Sequence, residues 1–307
     1  MRYLPFLKGI YSTAPGLSAL DKAELEKDRL VFQIDDQYQE YLSNKREARN
    51  EDIHKYYCKE RLLENTIVSV NKYMVSQLLK EYPHYFILES VKEEYTFINK
   101  LTEKCISWNE DWITAGSMPY LSLFDALCSQ VQEDVAICQL DGDKDWVSAL
   151  HLCAPNHWAA SDKVGHTFQS IHEIVPGMEP MMPRYFNMLQ SIVQKGPFTR
   201  FACGISSDIR LNHHPEAPKG INQNEWEGRA FEDSANLYVR VERQNLIGFP
   251  ETNAFLFTIR TFFYKLTSLN DDEGSALLAA LESMSPESAA YKGLTGKIGM
   301  LRKRLKV

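Results

Sequence analysis

Apolar residues recur at three- and four-residue steps in the first third of the chain, a spacing typical of helices. The clearest run covers residues 60–82, and Pro83 prevents that helix from continuing. A more charged helical stretch starts near Gln37 and extends through residues 45–49. Ser18 is a candidate N-cap for a short helix. A second short helix is predicted over residues 122–131. The first third is therefore predicted to be helical.

In the middle of the chain the pattern changes to short apolar runs and strict alternation, which are typical of strands. The predicted strands are 135–140, 146–153, 198–205, 236–246 and 253–266. The first two flank the turn signal Asp141-Gly142-Asp143, and the last two flank Pro250, so each pair is predicted to form a hairpin. After Asn270-Asp271-Asp272 the chain is again predicted to be helical. The predicted fold class is α+β, with helices packed on an antiparallel sheet.

The chain has no internal repeat and no linker rich in Pro, Gly or Ser, so residues 1–307 are predicted to form a single integrated domain. A softer subdivision separates a helical part (1–115), a central core (116–268) and C-terminal helices (269–307).

Composition and charge restrict the class of protein. The chain is 44 % hydrophobic and 24 % charged, as folded globular proteins are. Its formal net charge is −7, and its densest basic run, at residues 302–306, suits a solvated helix end, so nucleic acid is disfavoured. No apolar run reaches the length of a membrane span, and residues 1–17 do not resemble a signal peptide. We therefore expect a cytoplasmic protein that binds neither nucleic acid nor membrane.

Several common sites have no motif here. The six cysteines include no C-x-x-C pair, which favours buried free thiols over a zinc or thioredoxin-like centre. No nucleotide-binding glycine motif, nucleophile elbow or zinc-protease motif occurs. The pair His213-His214 could bind a metal, but without a third ligand a polar loop is favoured.

Four of the eight histidines lie between residues 151 and 172. If residues 161–175 form one helix, His172 lies about 40° from Phe168 on its apolar face, and His166 lies on the opposite side. That face comprises Val164, Phe168, Ile171 and Val175. A histidine on such a face is either a core residue with one hydrogen bond or a neutral ligand for haem iron. A haem ligand would also need a partner for its second ring nitrogen.

Two blocks of sequence resemble a known family. Residues 147–177 contain Pro-x-x-Trp, Lys-x-Gly and Ile-His followed by Val-Pro, and residues 241–262 contain Glu-Arg-Gln-x-Leu and Phe-Thr-Ile-Arg-Thr. The matching residues are Pro155, Trp158, Lys163, Gly165, Ile171, His172, Val175, Pro176, Glu242, Arg243, Gln244, Leu246, Pro250, Phe257, Thr258, Ile259, Arg260 and Thr261. With these blocks the chain resembles the haem-dependent oxidative N-demethylases, which include the haem subunit of dimethylamine monooxygenase.

The resemblance implies a PAS-like antiparallel sheet that holds haem b, flanked by N-terminal and C-terminal helices. It implies that His172 is the iron ligand. It also implies oxidative removal of a methyl group from a small alkylamine such as dimethylamine, using O2 and releasing formaldehyde. The electrons would come from a separate flavin or iron–sulfur reductase.

Other residues of the two blocks receive expected roles if haem is bound. Glu242 is a candidate catalytic carboxylate for a cationic amine, with a structural ion pair as the alternative. Arg260 and Arg243 are candidates for haem propionates or the oxygen side, with sheet-face salt bridges as the alternative. Lys163 is either a propionate partner or solvated, and Trp158 either contacts haem or packs in the core.

Two departures from the family pattern bear on the substrate pocket. Arg200 is retained, but Phe201-Ala202-Cys203 follows it where the family usually carries an Asn-Trp pair. Thr252-Asn253 replaces the usual Ser-Gly. Two other functions remain open at this point: a haem-binding sensor or carrier without turnover, and a haem-free protein that keeps only the scaffold.

Overall fold

The computed structural model describes residues 2–116, 119–227, 231 and 236–305. The helices are α1 Tyr38–Tyr56, α2 Glu64–Glu81, α3 Leu123–Cys128, α4 Phe168–His172, α5 Tyr185–Lys195, α6 Gln223–Trp226, α7 Asp271–Glu282, α8 Pro286–Tyr291 and α9 Ile298–Leu305. The strands are β1 Ser18–Ala19, β2 Tyr57–Lys59, β3 Phe86–Val91, β4 Glu94–Asn99, β5 Lys104–Trp108, β6 Asp134–Asp141, β7 Lys144–His151, β8 Phe198–Ser206, β9 Tyr238–Phe249 and β10 Ala254–Lys265.

The main sheet has seven strands in the order β1-β8-β9-β10-β6-β7-β2. All neighbouring strands are antiparallel. Both predicted hairpins are confirmed, β6 with β7 and β9 with β10. Gly142 turns the first hairpin with a φ of +59°, which glycine adopts without strain. The α+β class with an antiparallel sheet is therefore confirmed.

The two faces of the sheet carry different layers. We call the first the α2 face, because Val70, Met74 and Leu78 of α2 join one buried cluster with Ile137 and Leu256. On the other, the α5 face, Leu189, Ile192 and Val193 cluster with Leu246 and Phe255. Since side chains alternate along a strand, neighbouring residues of β9 belong to different faces.

The prediction of a wholly helical first third is wrong in one region. The segment from Phe86 to Trp108 forms a separate three-stranded antiparallel sheet, β3-β4-β5. Its first turn is made by Lys92 and Glu93, both with positive φ, so none of the usual Gly, Pro or Asn turn residues marks it. The prediction that Ser18 caps a helix is also wrong. Ser18 belongs to β1, where it pairs with Thr199 of β8.

The prediction of one helix over residues 161–175 is wrong as well. Only the five residues of α4 are α-helical, preceded by a 3₁₀ turn at Ala160–Asp162. Between them Val164 forms a β-bridge with Val147, and Gly165 has a φ of +83°, which no helix accommodates. The apolar face drawn through Val164 therefore does not exist, although Phe168 and His172 still share one.

Two short strands from the N-terminal part complete the main sheet, β1 beside β8 and β2 beside β7. Such pairing is what a single integrated domain requires, and the domain limits stay a prediction. Within the described residues, none of the helices combines the length and apolar character needed to cross a bilayer.

A histidine of β7 links stability to pH. His151 is only 1 % exposed, and its Nε2 lies 3.1 Å from Oδ1 of Asp125, which also pairs with Arg49. Burial lowers the pKa of His151 to about 4, although Asp125 counteracts part of that effect. The unfolded chain, with an ordinary histidine pKa near 6.5, therefore binds this proton more readily than the folded one.

We expect the free energy of unfolding to decrease as the pH falls from about 6.5 to about 4, by of order 3 kcal/mol from His151 alone. Urea denaturation between pH 4.5 and 7 measures it. His151→Gln keeps a donor for Asp125 but cannot titrate, so it should flatten the slope, whereas exposed His84→Gln should not. Equal slopes in wild type and His151→Gln would contradict this assignment.

Candidate functional site

Helix α4 is held against the sheet by hydrogen bonds at its first turn. Thr167 is its N-cap, and its hydroxyl accepts from the backbone N–H of Ser170 at 3.1 Å. The backbone N–H of Phe168 donates to Oδ2 of Asp145, on β7, at 2.5 Å. The ring of Phe168 joins the apolar cluster between α5 and the sheet. A helix of only five residues is thus fixed by tertiary contacts.

His172, at the end of α4, has a defined tautomer. Its Nδ1 lies 2.8 Å from the carbonyl oxygen of Phe168, and since a carbonyl only accepts, Nδ1 carries the proton. The rings of Phe168 and His172 stack with centroids 3.9 Å apart. Burial lowers the pKa of His172 to about 4, and the charges of Arg200 and Lys163 add to that effect. The imidazole is therefore neutral at pH 7, with the lone pair on Nε2.

The α5 face of the sheet is tightly covered at one end and open at the other. A Cβ at Gly248 of β9 would lie 2.1 Å from the carbonyl oxygen of Val193, so α5 rests directly on the backbone there. By contrast, a Cβ at Gly204 of β8 would meet nothing within 4 Å. Gly204, Ala202 and Arg200 are half-buried and occupy alternate positions on this face. The small residues Ala202 and Gly204 therefore leave this part of the α5 face uncovered, and we call the open strip beside Arg200 the cleft over β8.

Arg200 borders this cleft as a cation without an anion. Among the residues that the structure describes, its guanidinium makes no hydrogen bond or ion pair, and its buried Nε has no partner. Burial lowers the pKa of Arg200, and Glu242 partly offsets that effect. A half-buried guanidinium without an ion-pair partner suits the binding of a carboxylate.

Glu242 lies on the same face, opposite Ala202 in the pairing of β8 with β9. It forms an ion pair with Arg240 and accepts a hydrogen bond from Nε2 of Gln244 at 2.8 Å. Burial favours a higher pKa for Glu242, but Arg240 and Gln244 outweigh it and keep the pKa below its usual value. Glu242 is thus an ionised carboxylate. It lies near enough to Arg200 to raise the pKa of Arg200, and Arg200 in turn lowers the pKa of His172.

Arg243 and Arg260 lie on the other side of the sheet. They face each other across β9 and β10, on the α2 face. Arg243 donates to the backbone carbonyls of Asp28 and Leu30 at 2.9 and 2.7 Å. Arg260 pairs with Asp35 at 3.0 Å, and its guanidinium carbon lies 3.6 Å from the ring centroid of Tyr41. The strand alternation that places Glu242 at the cleft thus turns Arg243 away from it, so the structure does not bring these arginines to His172.

Lys163 and Trp158 lie together at the border of the cleft. Trp158 packs against the cluster that contains Ala160 and Val164. Nζ of Lys163 lies 5.9 Å from the Trp158 ring centroid, and burial lowers the pKa of Lys163. The charge of Lys163 lowers the pKa of His172, so the two side chains lie near each other. The roles of Lys163 and Trp158 toward a bound group stay predictions.

The two adjacent histidines after β8 have separate partners. Nε2 of His213 forms a hydrogen bond with Oδ1 of Asp208 at 3.0 Å. Nδ1 of His214 accepts a hydrogen bond from the backbone N–H of Glu216 at 3.1 Å. In the described part of the chain, no three His, Cys, Asp or Glu side chains converge as a metal site. The six cysteines are free thiols.

Two residues of the site receive no role from sequence reasoning: Arg200 and Asp145. Arg200 is noted only as a retained family residue. Its signal is the alternation Arg-x-Ala-x-Gly along β8, which sets a cation beside two small side chains on one face. Asp145 carries no such signal, because it follows a turn in which aspartates are common.

Comparison with protein families agrees with the resemblance carried by these two blocks of sequence. A family model described as "haem-dependent oxidative N-demethylase, alpha subunit-like" matches residues 22–297, which is most of the chain. The description indicates haem-dependent oxidative N-demethylase activity at the level of the family. The match confirms the resemblance inferred from residues 147–177 and 241–262. The chain belongs to the haem-dependent oxidative N-demethylase, alpha subunit-like family.

Proposed function

We propose that the chain binds haem b through His172, in the cleft between α4 and the β8–β9 part of the α5 face. We propose that it uses the haem to demethylate a small alkylamine such as dimethylamine, with release of formaldehyde. The observation that carries this proposal is the neutral His172, whose Nδ1 is bonded to the Phe168 carbonyl and whose Nε2 is left as an acceptor.

The residues of the cleft fit a haem group. A haem-ligating imidazole needs a fixed tautomer, and the Phe168 carbonyl provides it. The propionates of haem need cations as partners. Arg200 is such a cation, because it forms no ion pair with any residue that the structure describes. A flat macrocycle needs open space beside apolar groups, and the open position at Gly204, where a Cβ would meet nothing within 4 Å, supports its placement beside Ala202.

When bound, haem supplies the oxidising chemistry, with O2 and two external electrons. The protein would supply the rest. His172 would hold the iron, with its ring orientation fixed by stacking on Phe168. Arg200 would bind a propionate, and Lys163 is a second cation at the border of the cleft.

The substrate amine is cationic at neutral pH, so its site needs a carboxylate. Glu242 is ionised and its side chain is 18 % exposed, so it remains accessible although Arg240 and Gln244 already bind it. Ala202, opposite Glu242 in the pairing of β8 with β9, offers a small apolar surface for the methyl groups. We assign Glu242 to orientation of the amine.

The central strands support the PAS-like core that the resemblance implies. In the sheet, β8-β9-β10-β6-β7 form one antiparallel layer, and the segment between β7 and β8 crosses its α5 face as α4 and α5. The family description names an alpha subunit, which implies other subunits or partners. We propose a separate flavin or iron–sulfur reductase as the electron donor.

Formaldehyde release from dimethylamine, with a chemical or protein reductant, tests the proposed activity directly. Turnover that requires O2, haem and reductant is the expected result. A wild-type protein that binds haem but releases no formaldehyde from any small methylated amine would contradict the proposal and favour a sensor or carrier.

Glu242→Gln removes the negative charge while keeping the shape of the side chain. We expect the KM for dimethylamine to rise by about 10- to 100-fold, because a charge-assisted hydrogen bond becomes a neutral one. Haem content should be unchanged. The exposed Glu251→Gln, in the turn after β9, is the matched control and should behave as wild type. An unaltered KM in Glu242→Gln would remove this residue from the amine site.

A further inference from the structure

A buried carboxylate outside the cleft is connected to His172 through one residue. Asp145, the second residue of β7, is only 5 % exposed. Its Oδ2 accepts a hydrogen bond from the backbone N–H of Phe168 at 2.5 Å. The carbonyl oxygen of the same Phe168 accepts from Nδ1 of His172 at 2.8 Å. Phe168 is therefore held on its amide side by Asp145 and holds His172 on its carbonyl side.

Aromatic stacking fixes the same residue from a second direction. The ring of Phe168 lies between that of His172, with centroids 3.9 Å apart, and that of Tyr185, with centroids 5.7 Å apart. Tyr185 is the first residue of α5, and burial together with the Asp145 carboxylate raises the pKa of its hydroxyl. Asp145 and Tyr185 thus constrain the backbone and the ring of Phe168 together.

Little else in α4 could define the position of His172. The helix has five residues, none of them fully buried, and isolated helices of this length are unstable. Its only other side-chain cap is the exposed hydroxyl of Thr167. The orientation of His172 therefore depends on Phe168 and on what holds Phe168.

We propose that Asp145 is a positioning residue for the iron ligand: by anchoring the Phe168 backbone it fixes the carbonyl that orients the His172 ring. The inference rests on the proposed function, in which His172 binds haem. Asp145 lies outside the cleft and would touch neither the haem nor the substrate. Its effect passes through two hydrogen bonds, and such outer partners commonly change metal affinity by about 10- to 100-fold.

Two substitutions separate positioning from general stability. Asp145→Ala removes the acceptor, whereas Asp145→Asn keeps an oxygen that can accept from Phe168. Glu81→Ala is the matched control, because the Glu81 carboxylate accepts backbone N–H groups of Val31 and Phe32 on the α2 side of the molecule.

In the haem-loaded protein, resonance Raman spectroscopy of the ferrous form measures the iron–histidine stretch. We expect Asp145→Ala to shift or broaden that band and to weaken haem binding by about 10-fold. Asp145→Asn should restore the wild-type band, and Glu81→Ala should leave it unchanged even if its Tm falls. An unchanged band and affinity in Asp145→Ala would overturn the proposal.

In the haem-free protein, ¹⁵N NMR of the histidine rings measures the tautomer of His172, which depends on the same two hydrogen bonds. Wild type should show His172 as the single Nδ1–H tautomer, and Asp145→Ala should show a mixture of tautomers. A single, unaltered tautomer in Asp145→Ala would overturn the positioning role. Absence of haem binding in wild type would instead refute the proposed function, while the NMR comparison would still decide whether Asp145 orients His172.

Discussion

His172→Ala is expected to abolish haem binding, with an affinity at least about 100-fold below that of wild type. The reason is that His172 would provide the iron ligand, with its tautomer already fixed by the Phe168 carbonyl. The purified variant should lack the Soret band of wild type and should regain little of it on addition of haem. Formaldehyde release should be lost in parallel.

The control for this variant lies six residues earlier. His166 is exposed and precedes α4, so His166→Ala should retain full haem content. Circular dichroism should show that both variants fold, because the His172 ring is only half-buried and its Nδ1 bonds a carbonyl within its own helix. Equal haem in wild type and His172→Ala would show that the ligand has been assigned to the wrong residue.

Arg200→Ala is expected to weaken haem binding by about 10- to 100-fold, the usual cost of losing a charge-assisted hydrogen bond at a desolvated site. Arg200→Lys should recover part of the affinity, because a lysine keeps the charge but not the planar guanidinium. Titration of the apoprotein with haem, followed at the Soret band, measures both. Arg184→Ala, an exposed arginine before α5, is the control and should bind haem as wild type does.

The apoproteins allow a second comparison. A half-buried cation without an ion-pair partner is a cost to folding, so haem-free Arg200→Ala should be at least as stable toward urea as haem-free wild type. A lower stability together with unchanged haem affinity would identify Arg200 as a structural residue and would contradict its role toward the propionates.

The sheet was predictable from sequence because strand alternation and turn residues are local properties. The strands β6, β7, β8, β9 and β10 follow the predicted segments closely, since clear alternation or a turn signal marks each one. The three-stranded sheet from Phe86 to Trp108 was not predictable in the same way. Its first turn uses the exposed residues Lys92 and Glu93 with positive φ, and the pairing of β3 with β4 on either side imposes that conformation.

The site shows a similar division. The family block and an apolar face on a long helix together predict His172, and the structure retains only the part of that face that lies within α4. Strand alternation places Arg243 and Arg260, the propionate or oxygen-side candidates of the family block, on the α2 face with partners of their own, and those roles stay predictions. Arg200 has a local signal, the Arg-x-Ala-x-Gly alternation of β8. Asp145 contacts the backbone of Phe168, 23 residues away, and no local pattern encodes that contact.

The central claim, that His172 binds haem in the cleft over β8, is tested most directly by the visible absorption spectrum of the purified protein. It should be recorded as isolated, after reduction with dithionite and after addition of carbon monoxide. We predict a strong Soret band that shifts on reduction and shifts again with carbon monoxide, as haem with an accessible iron requires. A protein that shows no Soret band, even after incubation with haem, would contradict the claim and leave a scaffold that does not bind haem.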